Sequence, residues 1–316
     1  MVGATQSTEA WKLLSKAEKI IILGHRNPDG DSVASCAALS SVLMNRGAEV
    51  EIVHPTEIPA RLQFLKGPHK IGEHSIKPDV IVALDIAEKK RTYFPETFEG
   101  IPLINIDHHE CNPNFGDLNI VDGKASSAAE VLYGLLKEWD PRCVTIDIAN
   151  DLLFGILADS IVFQTTMTSA KTLRESAELI DMGANLRRLS LIASGAAEPE
   201  KLKFWSEVIG LAREVSPGLL SVAIPTTFMK EKNQPLKMLE GFVNFAARNC
   251  TAGVVVVFSE QPSGAVKVSM RSHELDVAKI AAKYGGGGHK NAAGALSKAK
   301  FDELVPSLLA EIESSM

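Results

Sequence analysis

Residues 19–32 read Lys19-Ile20-Ile21-Ile22-Leu23-Gly24-His25-Arg26-Asn27-Pro28-Asp29-Gly30-Asp31-Ser32. The apolar run over 19–23, with three β-branched isoleucines in succession, predicts a strand. A run without polar alternation is buried on both faces, as in a parallel sheet. Pro28 and Gly30 then hold the chain in a loop. That loop presents one imidazole and two carboxylates together, a turn that can hold metal. Residues 32–46 follow as a helix closed by Gly47. Strand, acidic loop and helix make the opening unit of an α/β fold.

The same rhythm continues outward. Residues 50–53, 80–84 and 103–106 read as further strands, and 126–139, 145–160 and 170–182 as helices. The expected first domain is a doubly wound, mostly parallel sheet. An amphipathic stretch over 199–215 precedes Pro217-Gly218, where the pattern turns strand-rich. The second region reads strand 219–224, helix 236–247, strands 253–258 and 266–270, helix 276–284, a glycine-rich turn and a final helix. The expected division is a metal-binding catalytic domain over 1–190, a helical linker over 191–216, and a smaller α/β substrate-binding domain over 217–316, with the active site in the cleft between them.

Composition narrows the function classes. With 45% apolar and 23% charged residues, the chain can bury a core in two domains of about 100–200 residues each. A formal charge of −6 argues against a long duplex nucleic acid, whose binding needs an extended Lys/Arg footprint. The first eleven residues lack the basic and apolar regions of a signal peptide, and about 18 consecutive apolar residues occur nowhere. The expectation is a cytoplasmic protein with no membrane partner. Cys36, Cys111, Cys143 and Cys250 lack CxxC spacing and read as reduced packing residues.

Chemistry concentrates at the strand ends. Asp85 closes the third strand, and Asp107-His108-His109 closes the fourth. In open α/β sheets, sites form outside the carboxyl ends of strands. Asp159 ends an apolar run over 152–158 and completes an Asp/His set that no hydrophobic core accepts unpaired. Carboxylates with imidazoles and no thiolate favour a hard or borderline cation, Mn²⁺ first and Mg²⁺ or Co²⁺ next. Two such ions about 3.5–4 Å apart can bind a phosphoryl oxygen and activate water, which is hydrolysis of a phosphate ester. Singly, each residue has a blander use: Asp85 and Asp159 as helix caps, the His-His pair as hydrogen-bonded structure. Their joint placement at successive strand ends decides for chemistry.

The order and spacing of His25-x-Asn27-Pro28-Asp29-Gly30-Asp31, Asp85, Asp107-His108-His109 and Asp159 resemble the four signature motifs of the DHH phosphoesterase superfamily. The resemblance implies that His25, Asp29 and Asp85 hold one metal and that Asp31, Asp85, His108 and Asp159 hold the other. Asp107 would orient an imidazole, and His109 would meet the substrate phosphate as general acid or charge stabiliser. In the second region, the glycine-rich run Gly285-Gly286-Gly287-Gly288-His289-Lys290-Asn291-Ala292-Ala293-Gly294 resembles the DHHA1 substrate loop, with backbone N–H groups free to ring an anion. Ser269-Met270-Arg271-Ser272 resembles that domain's phosphate-binding strand, with Arg271 suited to grip a phosphate in bidentate fashion. Arg271, Gly287, Gly288 and His289 are thus the expected substrate residues.

The two-domain layout most resembles the group of nano-RNases and 3′-phosphoadenosine-5′-phosphate phosphatases. It implies a short single-stranded oligonucleotide or a nucleotide phosphate as substrate; a homodimer is compatible with it. The competing readings are a cyclic or linear dinucleotide phosphodiesterase, an exopolyphosphatase-like hydrolase, and a non-catalytic metal- and nucleotide-binding protein. The glycine-rich loop decides against pyrophosphate, and the complete ligand set against a non-catalytic role. One departure stands beside Asp159: the chain continues Ser160-Ile161-Val162-Phe163, with β-branched bulk where that group carries glycine. His54, His69, His74 and His273 lack partners at ligand spacing and are expected on the surface or hydrogen-bonded. Arg91 could reach the site or cap a helix.

Overall fold

The computed structural model describes residues 4–316, which divide into two compact units between Ala196 and Ala197. The first unit runs α1 (Ala4–Leu14), β1 (Lys19–Leu23), α2 (Gly30–Asn45), β2 (Glu49–His54), β3 (His69–Ile71), β4 (Val80–Leu84), β5 (Leu103–Asp107), β6 (Leu118–Val121), α3 (Ala128–Trp139), α4 (Ile146–Asp159), α5 (Ala170–Asp181) and α6 (Leu186–Ala193). Its six strands lie in the order β3-β2-β1-β4-β5-β6, and every neighbouring pair is parallel.

The β1 isoleucines explain why the strand sits centrally. Ile20 and Ile22 enter a core beneath the helices, while Ile21 and Leu23 enter a second core on the opposite face. Fully burying such a side chain contributes roughly 1.5–3 kcal/mol. The second face is covered by connecting segments with short 3₁₀ turns, through Ile76, Tyr93, Phe94 and Phe98, rather than by long helices. The chain order reverses direction between β1 and β4, which makes the carboxyl ends of these two strands the switch point of the sheet. Helices α2 and α4 approach closely beneath it. A Cβ on Gly155 would stand 2.6 Å from the Ala129 Cβ and 2.8 Å from Oδ1 of Asp31, so only glycine fits there.

The second unit runs α7 (Pro199–Ile209), β7 (Ala212–Ser216), β8 (Leu219–Ile224), α8 (Thr226–Glu231), α9 (Phe242–Arg248), β9 (Val254–Glu260), β10 (Val266–Ser272), α10 (Val277–Lys283), β11 (Gly287–His289), β12 (Ala292–Ser297) and α11 (Phe301–Ser315). Its sheet has the order β11-β12-β10-β9-β8-β7, with β8 and β9 parallel and the other pairs antiparallel. Along β9, Val254, Val256 and Phe258 pack toward α10 and α11, and Val255 and Val257 pack toward α7 and α9, the period-2 alternation of a strand.

Two features differ from the sequence reading. The segment 191–216 is not simply a linker: Phe204, Trp205 and Val208 of α7 belong to the second unit's core, and β7 is an edge strand of its sheet. The helix expected over 236–247 is broken at Gly241, whose φ of 86° starts α9 anew. No helix among the described residues is long and apolar enough to cross a membrane.

Candidate metal centre

The loop after β1 ends on Asp29, which caps α2 by accepting the Ser32 N–H at 3.1 Å. This cap aims the loop over the switch point. Thr92 braces the turn by donating its hydroxyl to the Gly24 carbonyl, and the Arg91 carbonyl accepts the Arg26 N–H at 2.7 Å, so Arg91 serves here through its main chain. His25 is 5% exposed, and its Nδ1 contacts its neighbour's carbonyl at 2.8 Å, leaving Nε2 to face Asp29 Oδ2 at 3.6 Å and Asp85 Oδ2 at 3.5 Å.

Asp85 follows β4 in a left-handed conformation, φ 59°, that turns its carboxylate back over the sheet. Such backbone in a residue other than glycine is uncommon and concentrates at functional positions. Asp85 is 3% exposed, and its Oδ1 is buried without a hydrogen-bond donor. Nε2 of His108 lies 3.5 Å from that oxygen and 3.4 Å from Oδ2 of Asp159. Asp31 is buried from solvent and takes the Ala128 and Ala129 N–H groups, at 2.6 and 3.0 Å, together with the Ser35 hydroxyl at 3.1 Å. The N-terminus of α3 thus holds this carboxylate in place and partly offsets its charge.

Donor atoms fall into three groups, within each of which they lie within 4.8 Å of one another: His25, Asp29 and Asp85; Asp31, His108 and Asp159; and Asp85, Asp107, His108 and His109. The first and third groups share Asp85, and the second and third share His108. All six residues expected as metal ligands therefore converge. Asp107 is fully buried, and its Oδ1 sits 2.8 Å from Nδ1 of His109, so the imidazole it orients is that of His109.

The electrostatics match a cation site. Burial lowers the His25 ring's proton affinity, but its contacts with Asp29 and Asp85 raise it past that, to about 10. Burial likewise opposes the His108 charge, and Asp85, Asp31 and Asp159 overrule it, again to about 10. Burial pushes Asp159 up to about 7, with Asp85 and Asp29 adding to it against the pull of His108. Burial and the charges of Asp85 and Asp159 also raise Asp31 well above the usual carboxylate range. Crowded carboxylates short of positive charge draw in protons. The donor set and the orphaned Oδ1 of Asp85 fit divalent cations.

In the second unit, Arg271 lies on β10, where its Nε donates to Asn244 Oδ1 and its Nη1 to the Met270 carbonyl, both at 2.8 Å. The glycine-rich run is not an open loop. Gly287 to His289 form the edge strand β11, paired with β12, and a Cβ on Gly288 would stand 2.4 Å from the Ala292 carbonyl oxygen. Ala292 pairs with Arg271 on one side and with His289 on the other, so the register sets these two residues in one row across three strands. The side chain of His289 lies outside the described residues.

Sequence reading missed the α3 N-terminus that grips Asp31, and Asn112, which donates to Asp107. The Ser126-Ser127 pair before Ala128 was the available cap signal. His54 also differs from expectation. It is fully buried on the main chain of Gly24, neither ring nitrogen has a hydrogen-bond partner among the described residues, and burial pushes its pKa down to about 3. It is a neutral packing residue.

Residues 19–156 match the DHH family, N-terminal domain, and residues 221–316 match the DHHA1 domain. A bifunctional oligoribonuclease and PAP phosphatase NrnA of Thermus thermophilus is 33% identical over 292 residues, 88% of this chain and 84% of that one. The chain belongs to the DHH family. Another bifunctional oligoribonuclease and PAP phosphatase NrnA, from Bacillus subtilis, is 27% identical to this DHH protein over 311 residues, 97% of each chain. An exopolyphosphatase-related protein from Bacteroides fragilis shares its fold, with a TM-score of 0.87 at 20% identity over 99% of this chain and 97% of that one.

Proposed function

We propose that this DHH protein is a two-metal phosphoesterase, Mn²⁺ its preferred ion, that hydrolyses short single-stranded oligonucleotides or nucleotide phosphates such as 3′-phosphoadenosine-5′-phosphate in the cytoplasm. The observation that carries this reading is Asp85, a buried carboxylate with an undonated oxygen and a histidine at 3.5 Å from each of its oxygens. In this assignment His25, Asp29 and Asp85 hold one ion, and Asp31, Asp85, His108 and Asp159 the other. Bound divalent cations supply Lewis acidity toward a phosphoryl oxygen and lower the pKa of water.

The chain's own groups do the rest. His109, 26% exposed at its side chain and fixed at Nδ1 by Asp107, presents Nε2 to protonate the leaving oxygen or to steady charge on the phosphate. Arg271 binds a substrate phosphate together with Gly287, Gly288 and His289, which lie across β12 from it in the same sheet. The oligoribonuclease and PAP phosphatase relatives support the substrate class, and the net charge of −6 favours small anions over long polymers.

The test is a parallel assay with Mn²⁺ on dinucleotides, 5-mers, 3′-phosphoadenosine-5′-phosphate, cyclic dinucleotides, pyrophosphate and polyphosphate. Turnover of the short oligonucleotides or of the nucleotide bisphosphate is expected. Hydrolysis confined to pyrophosphate or polyphosphate, or none at all, would overturn the proposal.

A further inference from the structure

A buried amide pair lies behind the site, between β4 and β5. Asn105 is the single polar residue among the first four of β5, and it is fully buried. Its Nδ2 donates to the Ala83 and Ile86 carbonyls at 3.3 and 3.2 Å. Those two carbonyls bracket Asp85, whose φ of 59° needs an external restraint. Asn112 completes the chain. Its Nδ2 lies 2.8 Å from Asn105 Oδ1, 3.2 Å from the Ile86 carbonyl and 2.5 Å from Oδ2 of Asp107, while its own Oδ1 accepts the Asn114 N–H at 2.8 Å. Three acceptors around one nitrogen fix the orientation of the amide. Asp107 is thereby gripped on both oxygens, by Asn112 on Oδ2 and by the His108 N–H and His109 Nδ1 on Oδ1.

We infer that Asn112 is a positioning residue for the hydrolysis, acting through Asp107 to hold His109 in one orientation and anchored through Asn105 to the backbone that turns Asp85. This rests on the role given above to His109. Without the Asn112 donor, Asp107 Oδ2 is left buried and unpaired, which costs far more than a neutral lost contact. The carboxylate then rotates, and the imidazole loses the partner that fixes its Nδ1.

The experiment combines a kinetic double-mutant cycle with NMR of the histidine rings in the Mg²⁺-loaded protein. Asn112→Ala is expected to lower kcat about 10–100-fold, as losses of partners behind a ligand shell do, with KM and bound metal unchanged. In a His109→Ala background the same change should cost less than about 2-fold. Asn112→Leu keeps the volume but removes the donor without adding a charge or a protonatable group, and it should lose as much as Asn112→Ala; it also serves if the alanine variant fails to fold. The hydrogen-bonded Nδ1 proton of His109, absent in His109→Ala, should be present in the wild type and lost in both Asn112 variants. That signal reports on Asn112 even if none of the phosphoesters is turned over, so its outcome is separate from that of the proposed function. An equal kcat loss in both backgrounds, full activity in Asn112→Leu, or an unchanged Nδ1 proton in the variants would overturn the inference.

Discussion

Oδ1 of Asp31 lies 2.8 Å from the point at which a Cβ on Gly155 would stand. A carboxylate of the candidate metal centre, on α2, is thus placed by the absence of a side chain on α4. Gly155→Ala forces the helices apart or rotates Asp31 off the Ala128 and Ala129 N–H groups. The expected outcome is a loss of about 1–3 kcal/mol of stability, as for overpacking, together with weaker Mn²⁺ binding. Thermal denaturation and calorimetric Mn²⁺ titration measure the two, and a stable variant with undiminished metal affinity would contradict the packing argument.

In the proposed function, Arg271 acts on substrate alone. Its Nε and Nη1 are already committed to Asn244 and Met270, which fixes the guanidinium and leaves its remaining N–H groups for an anion. Arg271→Ala is expected to raise KM and slow turnover while bound metal stays at the wild-type level. Elemental analysis beside steady-state kinetics checks this. Metal loss on that substitution would show that the residue has been assigned to the wrong task.

Asp151 on α4 gives a pH signature outside the metal centre. Burial, then the charge of Asp147, pushes its carboxyl up to about 7 from 3.8. Between those pH values the folded chain keeps a proton that the unfolded chain has released, so stability falls as pH rises through this window. Above about pH 7 the full deficit remains. Three units correspond to about 4 kcal/mol at most, and partial solvent screening reduces this to about 1–2 kcal/mol. Asp151→Asn should therefore be more stable than wild type at pH 8 and no more stable at pH 3.5 in denaturant titrations. Equal stabilities at both pH values would contradict the raised carboxyl.

Much of this architecture is legible in the sequence because its strongest signals are local. Strands β1, β4 and β5 are near-continuous apolar runs, and the acids and histidines that follow them stand out against that background. Strands β3, β6 and β11 escape because they are short and pair at or near sheet edges, where half-exposed residues show no period. The grip of α3 on Asp31 spans 97 positions, and Asn112 acquires meaning only when β4 and β5 bring Asp107 and Ile86 beside it. Such long-range polar contacts have no sequence period to read.

The turn after Asp159 was visible as a departure and proves physically unusual. Ile161, Val162 and Phe163 all adopt positive φ, at 51°, 56° and 66°. Ser160 holds the turn: its carbonyl accepts the Gln164 and Thr165 N–H groups and its hydroxyl accepts that of Phe163. A residue with a Cβ costs roughly 1–2 kcal/mol in this region, against about 0.5–1 kcal/mol of extra chain entropy for glycine. Ile161 is 38% exposed, so removing it also forfeits roughly 1–2 kcal/mol of burial. These terms nearly cancel, so Ile161→Gly should lose no more than about 1 kcal/mol in denaturant titration, well short of an ordinary large-to-small change; a loss above about 2 kcal/mol would show that Ile161 packing, not Ser160, holds the turn.

Anomalous diffraction from crystals grown with Mn²⁺ tests the two-metal claim most directly. Two peaks are expected, one among His25, Asp29 and Asp85 and one among Asp31, His108 and Asp159, with the Asp85 carboxylate between them, and both should vanish in Asp85→Asn. A single peak, or peaks that persist when Asp85 is replaced, would contradict the account.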